Sequence, residues 1–449
     1  MPLDVKQFYR ATNPNKTLVV ANPEDKKYYI DFSSVRGDDI INDIINKITF
    51  FHENEPSCTL FTGHIGCGKS TELLRLKSEL ETKKFHVVYF ESNDDLELTD
   101  VDTVDVLLAV ARRISQSLDS ITLEASSKLQ GLLQSTWRIL NADIQAVKGK
   151  IPGVGDVGLL VDGHKFTLGL GIGEITAKVK DDAGLRQRLN QFLGPQKTQL
   201  LDAINQELIQ PAIAQLQQQG KQGLVVIVDN LDRIDNSPKP SGKPQQEYLF
   251  VDQGEYLSKL HCHLVYTMPL ALKFSNSYAV LTQRFDAPQV LPMVPVQKRD
   301  GNTHKQGMAL LRQMVLARAL PDLNEQQRLD AIEQIFDSPA TLDRLCRISG
   351  GHVRDLLQLL NTWISKERQF PLSGDKLEKV IRDRRNEMTI PISDEEWELL
   401  RQVRQRQKVS DDRGYQQLIR SRFVFEYRDN GEVWFDVNPI LAEAEEMQP

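Results

Sequence analysis

The sequence lacks the features that mark membrane, secreted and zinc-binding proteins. No uncharged apolar run within its 449 residues approaches the length that spans a membrane, and the first residues do not form a basic segment followed by an apolar one. The four cysteines are scattered and include no C-x-x-C pair, so neither a disulfide framework nor a zinc site is indicated. We therefore expect a soluble protein of the cytoplasm without a membrane partner.

An excess of positive charge is also missing. The formal net charge is −7 at pH 7, which argues against a protein that coats nucleic acid, so any contact with a polyanion has to be local. The length suffices for about two to four domains, and the apolar content suffices for their cores.

What the sequence does contain is a phosphate-binding loop. Residues 63–70 read Gly-His-Ile-Gly-Cys-Gly-Lys-Ser and match G-x-x-x-x-G-K-[ST] at every specified position. An apolar run precedes the loop and apolar residues at helical spacing follow it, which predicts a strand, a loop and a helix. Glycines let backbone N–H groups close around an anion that faces the positive end of the helix. The predicted nucleotide-binding residues are Gly63, His64, Ile65, Gly66, Cys67, Gly68, Lys69, Ser70 and Thr71.

An acidic residue ends a second apolar run and completes a predicted metal site. Residues 224–228 are five consecutive aliphatic residues, typical of a strand buried on both faces of a parallel sheet, and Asp229 follows them. At the carboxyl end of such a strand, Asp229 is predicted to hold Mg²⁺ together with the Ser70 hydroxyl. Lys69 is predicted to contact the β- and γ-phosphates.

The sequence leaves open which residue activates the attacking water. Asn230 stands where hydrolytic P-loop proteins usually have a glutamate, and its amide can orient water but cannot accept a proton. Asp232 is the nearest substitute. A helix-capping or ion-pairing role for Asp232 beside Arg233 is an equal alternative.

Residues 119–220 form an insertion before this strand that is far longer than an ordinary connection. Its middle, residues 151–180, is rich in glycine and alternates apolar and polar residues at 164–168, which predicts a hairpin between helices. The pattern Gly169-x-Gly171-x-Gly173 is not followed by Lys-Ser. A structural or oligomer-contact role is therefore favoured over a second phosphate loop.

The C-terminal third is predicted to be helical and to end in a hairpin. Apolar spacing predicts helices at residues 308–320, 324–336, 339–349 and 353–368. A capping box at Ser393 opens a further helix, and a helix at 415–421 precedes two short strands, 423–427 and 433–437, which an Asn-Gly turn joins. Helices followed by such a hairpin look like a winged helix.

The order of these motifs resembles that of AAA+ ATPases. It is most similar to the branch that contains origin-recognition initiators and STAND NTPases, in a bacterial-type form. The resemblance implies an α/β fold in which helices flank a parallel sheet, with an α-helical lid and a C-terminal winged helix. It divides the chain into an N-terminal segment (1–50), an ATPase core (51–300), a lid (301–384) and a winged-helix-like domain (385–449).

The resemblance also implies the ligands and further site residues. ATP and Mg²⁺ are the expected ligands. Thr267, at the end of a third apolar run, corresponds to a polar residue that contacts the γ-phosphate or the attacking water, and Arg354, in the segment Gly-Gly-His-Val-Arg, corresponds to a lid arginine near the γ-phosphate. Arg284 stands at a plausible position for an arginine finger that reaches a neighbouring subunit, although a surface role explains it equally well.

Three functions are compatible with these motifs. The first is an ATP-hydrolysing switch, as in bacterial signalling or phage defence, whose nucleotide state controls assembly into a homo-oligomer or with a partner protein that carries input or output. The second is a DNA-binding initiator or transposition-type ATPase. The third is a nucleotide-binding scaffold with little hydrolysis, for which Asn230 is the only support.

The charge distribution disfavours the DNA-binding alternative. Residues 401–422 carry seven basic and two acidic side chains, which is a local basic segment suited to phosphates. Residues 385–449 as a whole carry nine basic and fourteen acidic side chains. The predicted winged helix is therefore expected to repel DNA overall, and to act instead as a solvated face or as a clamp on the nucleotide domain.

Overall fold

The centre of the molecule is a five-stranded parallel sheet. The computed structural model describes residues 3–37, 39–53, 55–118, 127–141, 168–410, 413–429 and 431–448. The strands of the sheet are β1 Cys58–Thr62, β2 His86–Glu91, β3 Leu224–Asp229, β4 His263–Thr267 and β5 Gln289–Val290. They lie in the order β2-β3-β4-β1-β5, and every neighbouring pair is parallel. The predicted α/β fold with a parallel sheet flanked by helices is confirmed.

The register of this sheet brings the ends of several strands to one edge. Glu91 pairs with Asp229, and Phe61 pairs with Thr267. Because parallel strands run in the same direction, their carboxyl ends meet where open α/β sheets bind ligands. All residues of β3 and β4 are buried, which agrees with their continuous apolar sequence.

Helices cover both faces of the sheet. One face packs against the helix that follows β1 and a short helix before it, and the other packs against a helix after β2 and the insertion. The helices of this part have the bounds Ile40–Asn46, Lys69–Thr82, Ser92–Asp95, Thr103–Ser117, Ser127–Leu140, Leu168–Lys180, Ala183–Leu193, Lys197–Ile204, Gln210–Gln218, Gln245–Glu247, Gly254–Ser258 and Tyr278–Arg284.

The glycine-rich part of the insertion corrects a prediction. The hairpin predicted within residues 151–180 is wrong for its second half, because Gly169, Gly171 and Gly173 lie in the helix Leu168–Lys180. Ile172, Ile175 and Val179 of this helix are buried against the second core, so packing of an apolar stripe outweighs the poor helix propensity of glycine. The other half of the predicted hairpin, residues 151–167, lies outside the described residues.

The C-terminal part begins with helices and ends with an antiparallel hairpin. Its helices have the bounds Lys305–Ala319, Glu325–Asp330, Ile332–Ile335, Pro339–Ile348, Val353–Glu367, Gly374–Thr389, Asp394–Arg406, Arg413–Arg420 and Pro439–Ala442. Strands β6 (Val424–Asp429) and β7 (Glu432–Val437) form the hairpin, while Asn430 of the predicted turn is not among the described residues. The helix Gly374–Thr389 continues through the predicted boundary at residue 384. The domain division and the winged helix stay predictions.

Three hydrophobic cores hold these parts together. The first joins the predicted lid, the C-terminal helices and Phe8 of an N-terminal helix, Val5–Ala11. The second lies between the sheet and the insertion. The third, between the sheet and the helix after β1, also contains Phe425, Tyr427 and Trp434 of the hairpin. The hairpin is therefore packed into the same core as the helix after β1 and one face of the sheet.

None of the helices in the described residues is both long enough and apolar enough to cross a membrane.

Candidate functional site

A cleft lies at the carboxyl ends of β1 and β3. Its empty space is about 850 Å³ when the part open to solvent is included. The loop at residues 65–72 and the end of β3 form its floor. Residues of the N-terminal segment and of two lid helices, Lys305–Ala319 and Val353–Glu367, form its walls.

Glycine is required where the lid meets the phosphate loop. Gly66 has φ of +95°, and a Cβ there would lie 2.8 Å from the His352 ring and 2.9 Å from Cβ of Arg354. Gly351 has φ of +75°, and a Cβ there would lie 1.7 Å from the carbonyl oxygen of Val294. Both positions combine a left-handed backbone with a close approach, which only glycine tolerates. Gly66 lets the start of the predicted lid helix pack directly against the loop, and Gly351 lets the segment before that helix approach the backbone of Val294.

Lys69 is buried at the base of the cleft in a network of oxygen atoms. Its Nζ donates to the carbonyl oxygens of Gly63 and His64 at 2.8 and 2.9 Å, and it forms an ion pair with Oδ2 of Asp232 at 2.9 Å. Burial lowers the pKa of Lys69, but the charge of Asp232, its hydrogen bond and the further charges of Cys67 and Asp229 together outweigh burial, and the net pKa is raised. The lysine is therefore a fixed cation, available to a phosphate that displaces these partners.

Asp229 and Ser70 meet beside this lysine and fit a magnesium ion. The Asp229 carboxylate accepts hydrogen bonds from the Tyr89 hydroxyl at 2.9 Å and from the backbone N–H of Asn230 at 2.7 Å, and it also bonds to the Ser70 side chain. Burial, and next the charge of Asp232, raises the pKa of Asp229. A divalent cation relieves such repulsion between carboxylates.

An orphaned atom supports the same assignment. Oδ1 of Asp232 is buried and has no hydrogen-bond partner within the described chain. Buried acceptors without a partner are rare and call for a ligand or an ordered water. Together with Ser70 and Asp229, this oxygen suits the hydrated Mg²⁺ that accompanies nucleotide phosphates.

Asn230 is held in a conformation that sequence reasoning missed. It adopts a left-handed backbone, with φ of +64° and ψ of +6°, directly after β3. Its Nδ2 donates to Oε2 of Glu91 at 2.7 Å and to Oδ1 of Asn93 at 2.9 Å. Glu91 was not predicted as a site residue. The signal that identifies it is its position as the last residue of β2, in register with Asp229.

Arginines surround the phosphate loop. The backbone N–H of Arg354 donates to the Gly66 carbonyl oxygen at 3.1 Å, and the Arg354 side chain lines the cleft. Burial lowers the pKa of Arg354, and the nearby charges of Arg233 and Arg422 lower it further. Arg36 donates to the Cys67 carbonyl oxygen at 2.7 Å. Such a concentration of like charge favours a bound anion.

Part of the lining of the cleft is apolar or aromatic. Its side chains come from the N-terminal segment and the lid, namely Leu18, Tyr28, Tyr29, Ile30, Phe32, Met314, Val353 and Leu357. Buried Arg318 provides a polar group among them, and its Nε has no hydrogen-bond partner in the described residues. These residues lie far apart in the sequence and have no common motif, so sequence reasoning did not find them.

The hairpin contacts the phosphate loop from the other side. The backbone N–H of Glu426 donates to Nε2 of His64 at 2.9 Å, and burial lowers the pKa of His64 well below its ordinary value. The ring of Phe425 stacks on His352 and packs edge-on against His64, each at 5.5 Å between centroids. Nε2 of His352 lies 2.8 Å from the carbonyl oxygen of Ile65. Lid, hairpin and phosphate loop thus form one packed unit.

Comparisons with known proteins agree with this geometry. Residues 38–239 match the model of the KAP family P-loop domain, a match that includes the phosphate loop, Asp229 and Asp232. This region is a P-loop NTPase domain. Among curated proteins, none matches the sequence.

Two solved structures are reported for similarity over the whole chain. A Walker-type ATPase of Pyrococcus abyssi is 12% identical, with 96% of this chain and 98% of that chain covered and a TM-score of 0.40. The Orc1 protein of Aeropyrum pernix, solved in complex with DNA, is 12% identical, with 98% and 97% covered and a TM-score of 0.36.

Four predicted residues are not among those that line the cleft, namely Gly63 and His64 at the start of the phosphate loop, Thr267 and Arg284. Thr267 is completely buried at the end of β4, and its hydroxyl lies 3.4 Å from the carbonyl oxygen of Val228. Arg284 is exposed at the end of its helix and donates to the carbonyl oxygen of Asp252 at 2.6 Å. The other predicted residues, from the loop, β3 and the lid, surround the phosphate-binding end. The roles assigned to all of them stay predictions.

Proposed function

We propose that this protein binds ATP with Mg²⁺, hydrolyses it, and acts as a switch whose lid and C-terminal hairpin respond to the nucleotide. The fixed Lys69 and the nearby Arg354 supply positive charge for the phosphates. Ser70 and Asp229 would hold Mg²⁺, which neutralises charge on the phosphate oxygens when it is bound. The apolar and aromatic part of the cleft lining would hold the nucleotide base.

The observation that supports the proposed switch is the direct contact of the phosphate loop with two segments, the lid and the hairpin. The lid bonds to Gly66 and Ile65, and the hairpin bonds to His64. A phosphate that displaces Lys69 from the carbonyl oxygens of Gly63 and His64 changes the part of the loop on which β6 rests. Nucleotide binding is therefore coupled to the hairpin through adjacent residues.

Hydrogen exchange and phosphate release test this proposal together. Amides of β6 and of the lid helix Val353–Glu367 are expected to exchange at different rates in the nucleotide-free protein and with a non-hydrolysable ATP analogue. Lys69→Ala serves as the control. In this variant the analogue should not change the exchange rates, and ATP should not be hydrolysed. Exchange in β6 that is identical in all states would contradict the switch. Phosphate release no greater than that of Lys69→Ala would favour a nucleotide-binding scaffold.

The DNA-binding alternative loses support from the basic segment itself. Arg401 pairs with Glu398, Arg420 with Asp235, and Arg422 with Asp355, while Arg404 donates to the carbonyl oxygen of Ala442. These guanidinium groups are used within the chain. Retention on DNA that falls steeply with salt would revive the alternative, since phosphate contacts have that dependence.

A further inference from the structure

Hydrolysis at this site requires a group that takes a proton from the attacking water. Asn230 follows Asp229 and has no basic atom. Asp232 is engaged with buried Lys69 at 2.9 Å, and a proton on Asp232 would leave that lysine without its counter-charge. The Asp229 carboxylate accepts bonds from Tyr89, Asn230 and Ser70 and is the proposed metal ligand. None of the three is a free base.

The end of the neighbouring strand supplies a carboxylate. Glu91 is the last residue of β2 and lies opposite Asp229 in the register of the sheet. It accepts a hydrogen bond from Nδ2 of Asn230 at 2.7 Å, and Asn230 itself lines the cleft. Glu91 is partly buried rather than exposed. A carboxylate therefore stands one hydrogen bond from the cleft, beside the proposed metal site.

The conformation of Asn230 serves this arrangement. A left-handed backbone outside glycine has an energetic cost, although asparagine tolerates it best. Here it turns the amide toward β2, where Glu91 and Asn93 accept both of its N–H groups. The pair thus has an amide on β3 and a carboxylate on β2 in direct contact.

We propose that Glu91 is the general base of the reaction and that Asn230, hydrogen-bonded to Glu91, orients this carboxylate toward the attacking water. The inference rests on the proposed ATP hydrolysis. The water oxygen forms a bond to the γ-phosphorus, the bond from that phosphorus to the bridging oxygen breaks, and ADP leaves with the electron pair. The water proton passes to the Glu91 carboxylate, which later returns it to solvent. In nucleotide-free enzymes such contacts are often longer than in the substrate complex.

The test compares Glu91→Gln with a matched control, Glu97→Gln. Glutamine keeps an acceptor for the Asn230 amide but cannot take a proton. We expect Glu91→Gln to bind a non-hydrolysable ATP analogue with parental affinity. Its phosphate release should be slower than that of the parent by a factor of about 10² or more. Glu97 follows the helix Ser92–Asp95, and its carboxylate accepts hydrogen bonds from the backbone N–H and the hydroxyl of Thr99, so its variant should retain parental turnover.

An exchange of the two groups guards against a merely structural effect. Glu91→Asn alone should be inactive, and adding Asn230→Glu should restore part of the turnover, because the carboxylate returns to the site from β3. Parental turnover in Glu91→Gln would overturn the inference while leaving ATP hydrolysis intact. Loss of turnover in Asp232→Asn, together with parental turnover in Glu91→Gln, would assign the role of general base to Asp232. If the parental protein releases no phosphate, the proposed function itself fails.

Discussion

The ion pair between Lys69 and Asp232 predicts that a single residue controls nucleotide binding. Both side chains are buried, so each depends on the other for charge compensation in the nucleotide-free protein. A triphosphate offers Lys69 stronger partners than the two backbone carbonyl oxygens that it now contacts. Binding is then an exchange of partners by a lysine that is already in place.

Replacing this lysine tests the phosphate site. Lys69→Ala is expected to weaken ATP-analogue binding by about 100-fold or more, because hydrogen bonds to charged groups contribute about 1.5–3 kcal/mol each. Isothermal calorimetry measures the affinity, and thermal unfolding verifies the fold. Lys77→Ala, on the same helix and paired with Glu81, is the matched control. Equal affinities of the two variants would refute the assignment of the phosphate loop.

Asp105, a buried carboxylate outside the candidate site, makes the free energy of unfolding depend on pH. Burial raises the pKa of Asp105 to about 7 from an ordinary value of 3.8. Its Oδ2 accepts the backbone N–H of Asp102 at 2.8 Å, whereas its Oδ1 is buried with no partner among described atoms. Between these two pKa values the folded state binds more protons than the unfolded state, so the free energy of unfolding falls as pH rises from about 4 to 7.

Asp105→Asn is expected to remove this dependence. Asparagine keeps the acceptor for Asp102 but carries no charge, so the variant should be more stable than the parent at pH 8, by up to about 4 kcal/mol at ~1.4 kcal/mol per pKa unit. Urea unfolding at pH 5 and pH 8 measures the difference. Asp202→Asn, an exposed substitution on the helix Lys197–Ile204, should change neither value. A gain of equal size at both pH values would point to packing instead of titration.

At the residue scale, the sequence predicts the parts of the site that are contiguous. The phosphate loop is one stretch of eight residues with a chemical requirement at each specified position, and Asp229 follows an uninterrupted apolar strand. Glu91 and the apolar and aromatic side chains of the cleft are assembled by strand register and by lid packing. No local pattern encodes those distances, so a single sequence does not reveal them.

At the scale of elements, the helix Leu168–Lys180 shows how tertiary contacts override local preference. Its three glycines and short apolar alternation favour extended structure. The buried side chains of Ile172, Ile175 and Val179 nevertheless recur at helical spacing and pack on the helix Thr103–Ser117 and its neighbours. The period of three and four residues was the better guide, but it is hidden among small residues that have no side chain to bury.

The hairpin β6–β7 depends on a neutral histidine in the phosphate loop. His64 accepts the Glu426 N–H through Nε2, so this nitrogen cannot carry a proton while the hairpin is docked. Burial, aided by the charges of His352 and Lys69, lowers the pKa of His64 in the folded state. Docking is thus fully stable above the ordinary value of 6.5 and is expected to weaken as pH falls below it, by about 1.4 kcal/mol per pH unit.

Acid should therefore release the hairpin before the rest of the molecule unfolds. Trp434 is buried in β7 and stacks on Tyr427, so its fluorescence should shift as pH falls from about 6.5 toward 5. Comparison with Trp434→Phe isolates this signal from the other tryptophans. His64→Gln keeps an acceptor without a titrating group and should abolish the shift. A shift that persists unchanged in His64→Gln would exclude His64 as its cause.

At the scale of the whole molecule, the cleft lies where separate parts converge. The sheet provides the loop and β3, the N-terminal segment and the predicted lid provide the walls, and the hairpin supports the loop from behind. The lid and the C-terminal helices share one hydrophobic core. We expect them to move together, because separating them would expose that core to water.

Assembly would complete the site if an arginine from another subunit reaches the phosphates. Arg284 lies exposed at the end of the helix Tyr278–Arg284, outside the cleft of its own chain, and makes one bond to the carbonyl oxygen of Asp252. An arginine that arrives from a neighbour stabilises the charge of the transition state, and such fingers raise the rate by about 10³-fold or more. Turnover per chain should then increase with protein concentration.

Arg284→Ala is expected to bind ATP normally and to lose most of its turnover, whereas Arg406→Ala, an exposed arginine in the C-terminal part, should behave as the parent. Mixing Arg284→Ala with Lys69→Ala should restore part of the activity, because the first variant retains an intact phosphate site and the second retains an intact finger. Phosphate release across a dilution series and light scattering in ATP provide the measurements. Constant turnover per chain from a monomer would reject the shared site and leave a switch that acts within one chain, through the hairpin and the lid.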